Sequence, residues 1–262
     1  MSTEMKFFDF AAAVGLTKHI GGMDATRQLI ELCQIEAGKY VLDVGCGVGV
    51  TAVYLAKQVG ARVVGVDIRP EMIKRAIERA IQEGVDEPTD FRVADAQELR
   101  FEDNTFDAVI TESVTAFLPD KRRDLAEYVR VTKPGGYVGI NESAWLKTPV
   151  PAEVVDWFQR DVGNEAEIPA YAEWLELMEG AGLVDVNGSV DQVDVKDEFR
   201  GIMQRYGFWE MLKIYGRMFK LYRRSPEYRQ FIKEAKETGA MPPGATDYFG
   251  YGICVGRKPV DG

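Results

Sequence analysis

The stretch Val41-Leu42-Asp43-Val44-Gly45-Cys46-Gly47-Val48-Gly49 decides the fold of this chain. An apolar run that reads as a buried strand enters a glycine-rich turn, and a helical pattern follows. Downstream, a second apolar run, Val63-Val64-Gly65-Val66, closes on an acid, Asp67. A glycine turn lets backbone N–H groups approach a ligand closely, and a carboxylate at the next strand end can accept both ribose hydroxyls. Together they predict a nucleoside-containing cofactor across the tips of two parallel strands. A dinucleotide fingerprint wants its third glycine three positions after the second. Val50 stands there, and Gly49 comes two after Gly47, so the turn reads G-x-G-x-G.

Outward from this turn, strand and helix patterns alternate, which predicts a parallel sheet with crossover helices. A helix is expected over Asp24–Gln34, a strand over Tyr40–Val44, a helix over Gly49–Gln58 and a strand over Arg62–Asp67. The next helix begins with Pro70, a favoured first-turn residue, and runs to about Glu83. Strands over Phe91–Ala94, Phe106–Thr111 and Tyr137–Asn141 follow, with a helix over Asp120–Val131. Helices over Ala152–Asp161 and Ala170–Gly180 precede a strand over Leu183–Val193. An aromatic-rich helical stretch, Lys196–Thr238, comes before a last strand, Tyr248–Arg257, where Phe249, Tyr251, Ile253 and Val255 alternate with small residues.

The glycine turn and Asp67 resemble motif I and the acidic loop of the class I S-adenosylmethionine-dependent methyltransferases, in their type 11 or UbiE-like branch. Three more matches follow in order: Val93-Ala94-Asp95-Ala96, the run Phe106 to Glu112, and Lys133-Pro134-Gly135-Gly136-Tyr137. The likeness covers about Met23–Ala144 by motif and Gly182–Lys258 by pattern alone. It implies a Rossmann-like α/β fold, with a seven-stranded, mostly parallel sheet. The last strand would be antiparallel, inserted between the fifth and sixth, with a helical insertion before it. It also implies S-adenosylmethionine as cofactor, held by Asp43, Gly45, Cys46 (backbone only), Gly47, Gly49, Asp67, Ile68, Met72, Asp95, Ala96, Thr111 and Glu112. Asp95 and the N–H of Ala96 would meet the adenine, with Ile68 and Met72 around it. Plain core packing is the other reading of Met72, and helix capping that of Asp95.

A narrower likeness lies upstream. His19-Ile20-Gly21-Gly22-Met23-Asp24-Ala25-Thr26 is similar to the S/T-G-G-x-x-A-T segment of phosphoethanolamine-type N-methyltransferases. This implies that His19, Gly21 and Gly22 fold over the cofactor as part of an N-terminal lid, residues 1–38. His19, whose pKa lies near neutrality, then becomes a candidate general base; an exposed loop histidine is the alternative. The chain departs from that subfamily after the fourth strand, where Phe117 replaces the histidine of its catalytic pair. The remaining catalytic candidates are the acids Glu112 and Glu142 at the strand tips, with Asn141 and Trp145 beside them. Two carboxylates and an aromatic suit an amine cation or proton abstraction; capping and loop hydrogen bonding would be the structural alternative.

The expected organisation is a cofactor domain over 1–195 and 246–262, with a helical insertion over 196–245 acting as substrate cap. Its aromatics Phe199, Tyr206, Phe208, Trp209, Tyr215, Phe219 and Tyr222 either roof an acceptor pocket or pack as helix core. The net charge of −10 argues against general nucleic-acid binding. Locally the sign reverses: Lys213, Arg217, Lys220, Arg223, Arg224, Arg229, Lys233 and Lys236 face only Glu227 and Glu234. That basic helix, 213–236, reads either as a solvated face or as contact with an anionic membrane surface or an acidic substrate group. Cys33, Cys46 and Cys254 lack metal-ligand spacing and His19 is the single histidine, so no metal is expected. Scattered cysteines, with no signal-peptide layout and no membrane-length apolar run, predict a cytoplasmic setting. The leading reading is methyl transfer to a small molecule, apolar or aromatic (quinone-like or lipid-like). A small amine acceptor, a S-adenosylmethionine-binding regulator without transferase activity, and a nicotinamide oxidoreductase are the competing ones. Oligomeric state is left open.

Overall fold

The computed structural model of the chain describes residues 7–17, 20–162, 168–193, 195–237 and 242–260. Within them, α1 (Phe7–Val14) and α2 (Gly22–Leu32) lead into β1 (Tyr40–Val44). Then come α3 (Val50–Tyr54, continuing as π-helix over Leu55–Val59), β2 (Arg62–Asp67), α4 (Pro70–Glu83), β3 (Thr89–Val93) and β4 (Phe106–Glu112). The chain continues through α5 (Lys121–Val131), β5 (Thr132–Trp145), α6 (Ala152–Val162), α7 (Tyr171–Gly180) and β6 (Val184–Gln192). It closes with α8 (Val195–Arg224), α9 (Pro226–Glu237) and β7 (Phe249–Arg257).

The strands form one sheet in the order β3-β2-β1-β4-β5-β7-β6. β1 pairs in parallel with β2 on one side and β4 on the other. The chain leaves β1 in one direction and returns to its opposite side, which opens a crevice at the β1 tip. β7 runs antiparallel to both β5 and β6, as the family likeness implied.

Strand residues alternate between two cores, because successive side chains leave opposite faces of a sheet. Val41, Val63, Ala108 and Ile110 meet Leu29, Ile30 and Ile73 of α2 and α4 on one face. Leu42, Val64, Val109, Val138 and Ile140 meet Leu125, Tyr128, Trp174 and Met178 of α5 and α7 on the other. Burial on both faces explains the near-continuous apolar runs of β1 and β2. Each fully buried leucine or isoleucine contributes about 1.5–3 kcal/mol. A third cluster sits over the strand tips, where Phe10 and Val14 of α1 and Val48 of the glycine turn pack with Tyr206, Met211, Ile214 and Tyr228.

Four elements differ from the sequence-based expectation. β5 extends well beyond Tyr137–Asn141. Glu142 to Trp145 remain paired with β7, and Thr132 already pairs with Phe106 before a bulge over the Lys-Pro-Gly-Gly turn. That turn is pinned by Asp107, which accepts from Lys133 Nζ and the Tyr40 N–H, both at 2.8 Å. β3 starts two residues earlier, at Thr89, and α3 relaxes into π-helix at Leu55. The helical stretch expected over Lys196–Thr238 divides into two helices at Ser225-Pro226, since proline supplies no N–H to continue the first. Within α8, Gly207 is non-helical, with φ 68° and ψ 169°.

Candidate active site

A cleft lies over the tips of β1, β2, β3 and β4. Its floor is the glycine turn, where Gly45 and Gly47 take positive φ values of 70° and 53°. A Cβ on Gly45 would strike the Val114 side chain, and one on Gly47 the Thr17 methyl. Both line the cleft, so the turn forms a cradle that only glycine leaves open. Gly49 acts differently: its Cβ would meet Ala76 of α4, so its absence permits close helix packing.

Asp67 faces this cradle from the end of β2. Its Oδ2 accepts the Gly47 N–H at 3.1 Å, and its Oδ1 accepts the Arg69 N–H at 2.9 Å. Burial raises its pKa, and the two amides oppose that shift. Each oxygen keeps acceptor capacity after one amide bond, enough for two ligand hydroxyls. Ile68 is 59% exposed, an apolar side chain that the core does not explain. It lines the cleft with Met72, Asp95 and Ala96. Met72 also belongs to the cluster above the strand tips, so both of its readings hold. Asp95 accepts the Gln97 N–H at 2.9 Å, a local capping bond, while still lining the cleft.

The acids farther along the sheet are placed otherwise. Glu112 lines the cleft at the β4 tip, but its oxygens serve the fold. Oε2 accepts Thr26 Oγ1 at 2.8 Å and Asn141 Nδ2 at 3.3 Å, and Oε1 accepts Thr51 Oγ1 at 2.8 Å. It therefore clamps α2, α3 and β5 together. Glu142 corrects its expected role at the methyl-transfer end. It lies inside β5, wholly buried, and accepts the amides of Val114 and Thr115 at 2.9 and 2.8 Å and of Ala116 at 3.2 Å. Burial pushes its carboxyl up to about 7 against those amides. It shapes the 113–118 loop from beneath and does not reach the cleft. Trp145 packs edge-on against Phe158 and Phe249 and does not line this cleft.

Several expected cofactor contacts likewise do not line the cleft. Asp43 is buried under the turn, where burial and the charges of Glu112 and Asp67 push its carboxyl well above the usual range. The Cys46 amide is spent on the Val66 carbonyl at 2.9 Å, and Thr111 is fully buried. Gly21 and Gly22 start α2, where a Cβ on Gly21 would strike the Tyr251 ring. Their segment is nonetheless fastened at the cleft edge. Asn141 Nδ2 donates to the Ile20 carbonyl at 2.9 Å, and the Ile20 N–H donates to Ser113 Oγ at 3.2 Å. His19 lies outside the described residues.

The sequence implies an N-terminal lid over residues 1–38, but not which of its residues line the cleft. Ala11 of α1 and Thr17 after it line the cleft, as do Arg69, Ser113, Val114, Phe117 and Leu118. The apolar run Phe7–Val14 was the available signal for α1, but nothing in it tells a lid helix from a core one. Tyr206 of α8 straps the roof down: its hydroxyl accepts the Thr17 N–H at 2.6 Å and donates to the Thr17 carbonyl at 3.0 Å. Arg75 and Arg217 donate to the carbonyls of Ala13 and Val14 at the C-terminus of α1.

A methyltransferase-domain family profile matches residues 42–140. The chain is 30% identical over 185 residues to phosphoethanolamine N-methyltransferase 1 of Arabidopsis thaliana, covering 71% of this chain and 36% of that protein. It thus spans about a third of the length of the plant relatives it matches. It is 34% identical over 203 residues to an uncharacterized protein of Haemophilus influenzae, covering 76% of this chain and 70% of the relative. Among solved structures it is similar to the 4+2 cyclase SpnF, with TM-score 0.72, 22% identity, and coverage of 97% and 93%. That likeness concerns the fold.

Proposed function

The chain belongs to the class I S-adenosylmethionine-dependent methyltransferases, and on that premise we propose that it methylates a small apolar or aromatic acceptor at the cleft over the β1 and β2 tips. The observation that carries this reading is the glycine cradle facing a carboxylate that keeps acceptor capacity. The residues present suit the family's cofactor: Asp67 for the ribose, Asp95 and Ala96 for the adenine, and Ile68 and Met72 as its apolar walls. When bound, S-adenosylmethionine supplies an electrophilic methyl group. What the protein adds is positioning and exclusion of water, with a base needed only for an acceptor that arrives protonated.

The acceptor class follows from the remaining lining. Ala11, Val114, Phe117 and Leu118 are apolar. The cleft's acids other than the two assigned to the nucleoside come down to Glu112, which already holds three protein donors. An amine cation therefore has less to meet here than an apolar ring or chain. We read α1 and the loop after it as the lid, with His19 as the general-base candidate, and the 196–245 insertion as the cap. The three cysteines are all buried and free, consistent with action in a reducing cytoplasm. No described helix is long and apolar enough to cross a membrane.

Calorimetry with S-adenosylmethionine and with NAD, followed by radiolabelled methyl transfer to quinols, hydroxylated lipids and small amines, tests this. Tight S-adenosylmethionine binding with transfer to the apolar acceptors is expected. Binding without transfer to any of them would favour a regulatory protein, NAD binding at least as tight would favour an oxidoreductase, and preferential amine methylation would overturn the acceptor class.

A further inference from the structure

The part of α8 beyond Gly207 carries apolar side chains on two faces. One is buried: Met211 and Ile214 pack with α1 and α9. The other faces solvent. Phe208, Leu212, Tyr215, Phe219 and Tyr222 recur every three or four residues and are 62%, 47%, 55%, 65% and 49% exposed. That spacing sets them on one stripe of the helix. Trp209, 75% exposed, stands beside it. A surface helix that needs only water has no use for a row of rings, and so long an exposed apolar stripe marks an interaction site.

The chemistry around the stripe identifies the partner. Between Phe208 and Lys233 there are seven cations and two acids, in a chain whose net charge is −10. Lys213 and Arg217 are engaged by Glu210, whereas Lys220, Arg223 and Arg224 extend along the exposed part of the helix. The Arg223 guanidinium lies over the Phe219 ring at 5.9 Å. Aromatic rings beside lysines and arginines, on a helix unable to span a bilayer, are the pattern of a helix lying in an anionic lipid interface. A second copy docking through the same face would set one basic rim against another. We propose that this face of α8 is a docking surface for an anionic phospholipid bilayer. The same helix holds the lid residue Thr17 through Tyr206, on the other side of the Gly207 break. The docking helix is thus joined to the roof of the cleft, and an apolar acceptor would come from the membrane. The docking itself does not depend on the acceptor class.

Flotation of the full chain with phosphatidylcholine vesicles, with and without phosphatidylglycerol, is the test. Binding is expected only with the anionic lipid, and should decline in high salt. Replacing Lys220, Arg223 and Arg224 together by glutamine should weaken it roughly a hundredfold, at about fivefold per cation. W209S combined with F219S should abolish it while leaving cofactor binding, measured by calorimetry, unchanged. No flotation with anionic vesicles at low salt overturns the proposal, as does flotation indifferent to both sets of substitutions. A dimer in sedimentation velocity that the serine variants dissolve, without vesicle binding, would assign the face to a second copy instead.

Discussion

Two regions of the sheet, one on each side of the β1 tip, are built from the same materials and end in opposite chemistry. Between β1 and β2, Asp67 receives one backbone amide on each oxygen and faces the glycine cradle with acceptor capacity left. Between β4 and β5, Glu112 and Glu142 are taken up by protein donors: two hydroxyls and an amide side chain on one, three backbone amides on the other. An acid near a strand tip is therefore left open to a ligand or made into a clamp according to the donors the fold has already assigned to it. Those donors come from residues far away in sequence. Thr26 and Thr51 lie 86 and 61 positions from Glu112.

Asp67→Ala breaks the first side. It should weaken S-adenosylmethionine binding by about a thousandfold, the loss of two charge-assisted hydrogen bonds. Calorimetry reads this directly; a loss below tenfold would mean that the nucleoside is not held at β2. Glu112→Ala should give the reverse signature. Thr26, Thr51 and Asn141 are buried, and although Thr26 and Asn141 keep the carbonyls of Gly22 and Ile20, losing three hydrogen bonds to a charged acceptor should cost roughly 3–4 kcal/mol in urea unfolding. Cofactor affinity in the surviving folded protein should fall less than in the Asp67 variant. If Glu112→Ala instead kept its stability and lost turnover alone, the clamp reading would be wrong and a catalytic one right.

The same contrast explains what the sequence could tell. The crevice side is written in contiguous residues, because a glycine turn, an acid and an apolar pair act through local backbone geometry. The mostly parallel sheet, the antiparallel β7 between the fifth and sixth strands and the glycine turn were legible from Val41–Gly49, Asp67 and the family likeness. The far side is written in partnerships across the chain. Nothing in Asn141-Glu142-Ser143 says that β5 continues to Trp145, since its partner Phe249-Gly250-Tyr251-Gly252 lies more than a hundred residues on. Once that pairing forms, Glu142 is inside a strand and cannot be a loop acid. The fastening of the expected N-terminal lid was hidden for a similar reason: Thr17 is held by Tyr206, which is 189 residues away.

Glu142 offers a pH test of its buried state. Its carboxyl rises from 4.5 to about 7 on folding, so the folded chain holds the proton more tightly than the unfolded chain. Its contribution to stability is then greatest below pH 4.5 and is lost as pH climbs through about 7, up to about 3 kcal/mol in all. Glu142→Gln cannot titrate. It should start less stable than wild type at low pH, because its amide NH₂ faces a backbone donor, and the gap should narrow on raising the pH. Chemical unfolding of both proteins at pH 5 and pH 8 measures that gap, which also cancels the other raised acids, Asp43, Asp67 and Asp124. A gap independent of pH would place Glu142 in contact with water.

The smallest expected effect lies at the roof. Tyr206→Phe removes one hydroxyl from a residue that is 7% exposed, and with it the acceptor for the Thr17 N–H and the donor to the Thr17 carbonyl. The ring remains packed with Val48 and Met211, so folding should change little. The net loss of about 1 kcal/mol should be felt where Thr17 meets the cleft, as release of S-adenosylhomocysteine about fivefold faster in stopped flow. The rate of association should barely change, since the cradle and Asp67 are untouched. Equal release rates in the two proteins would show that the roof closes without the strap, and would separate α8 from the cofactor side altogether.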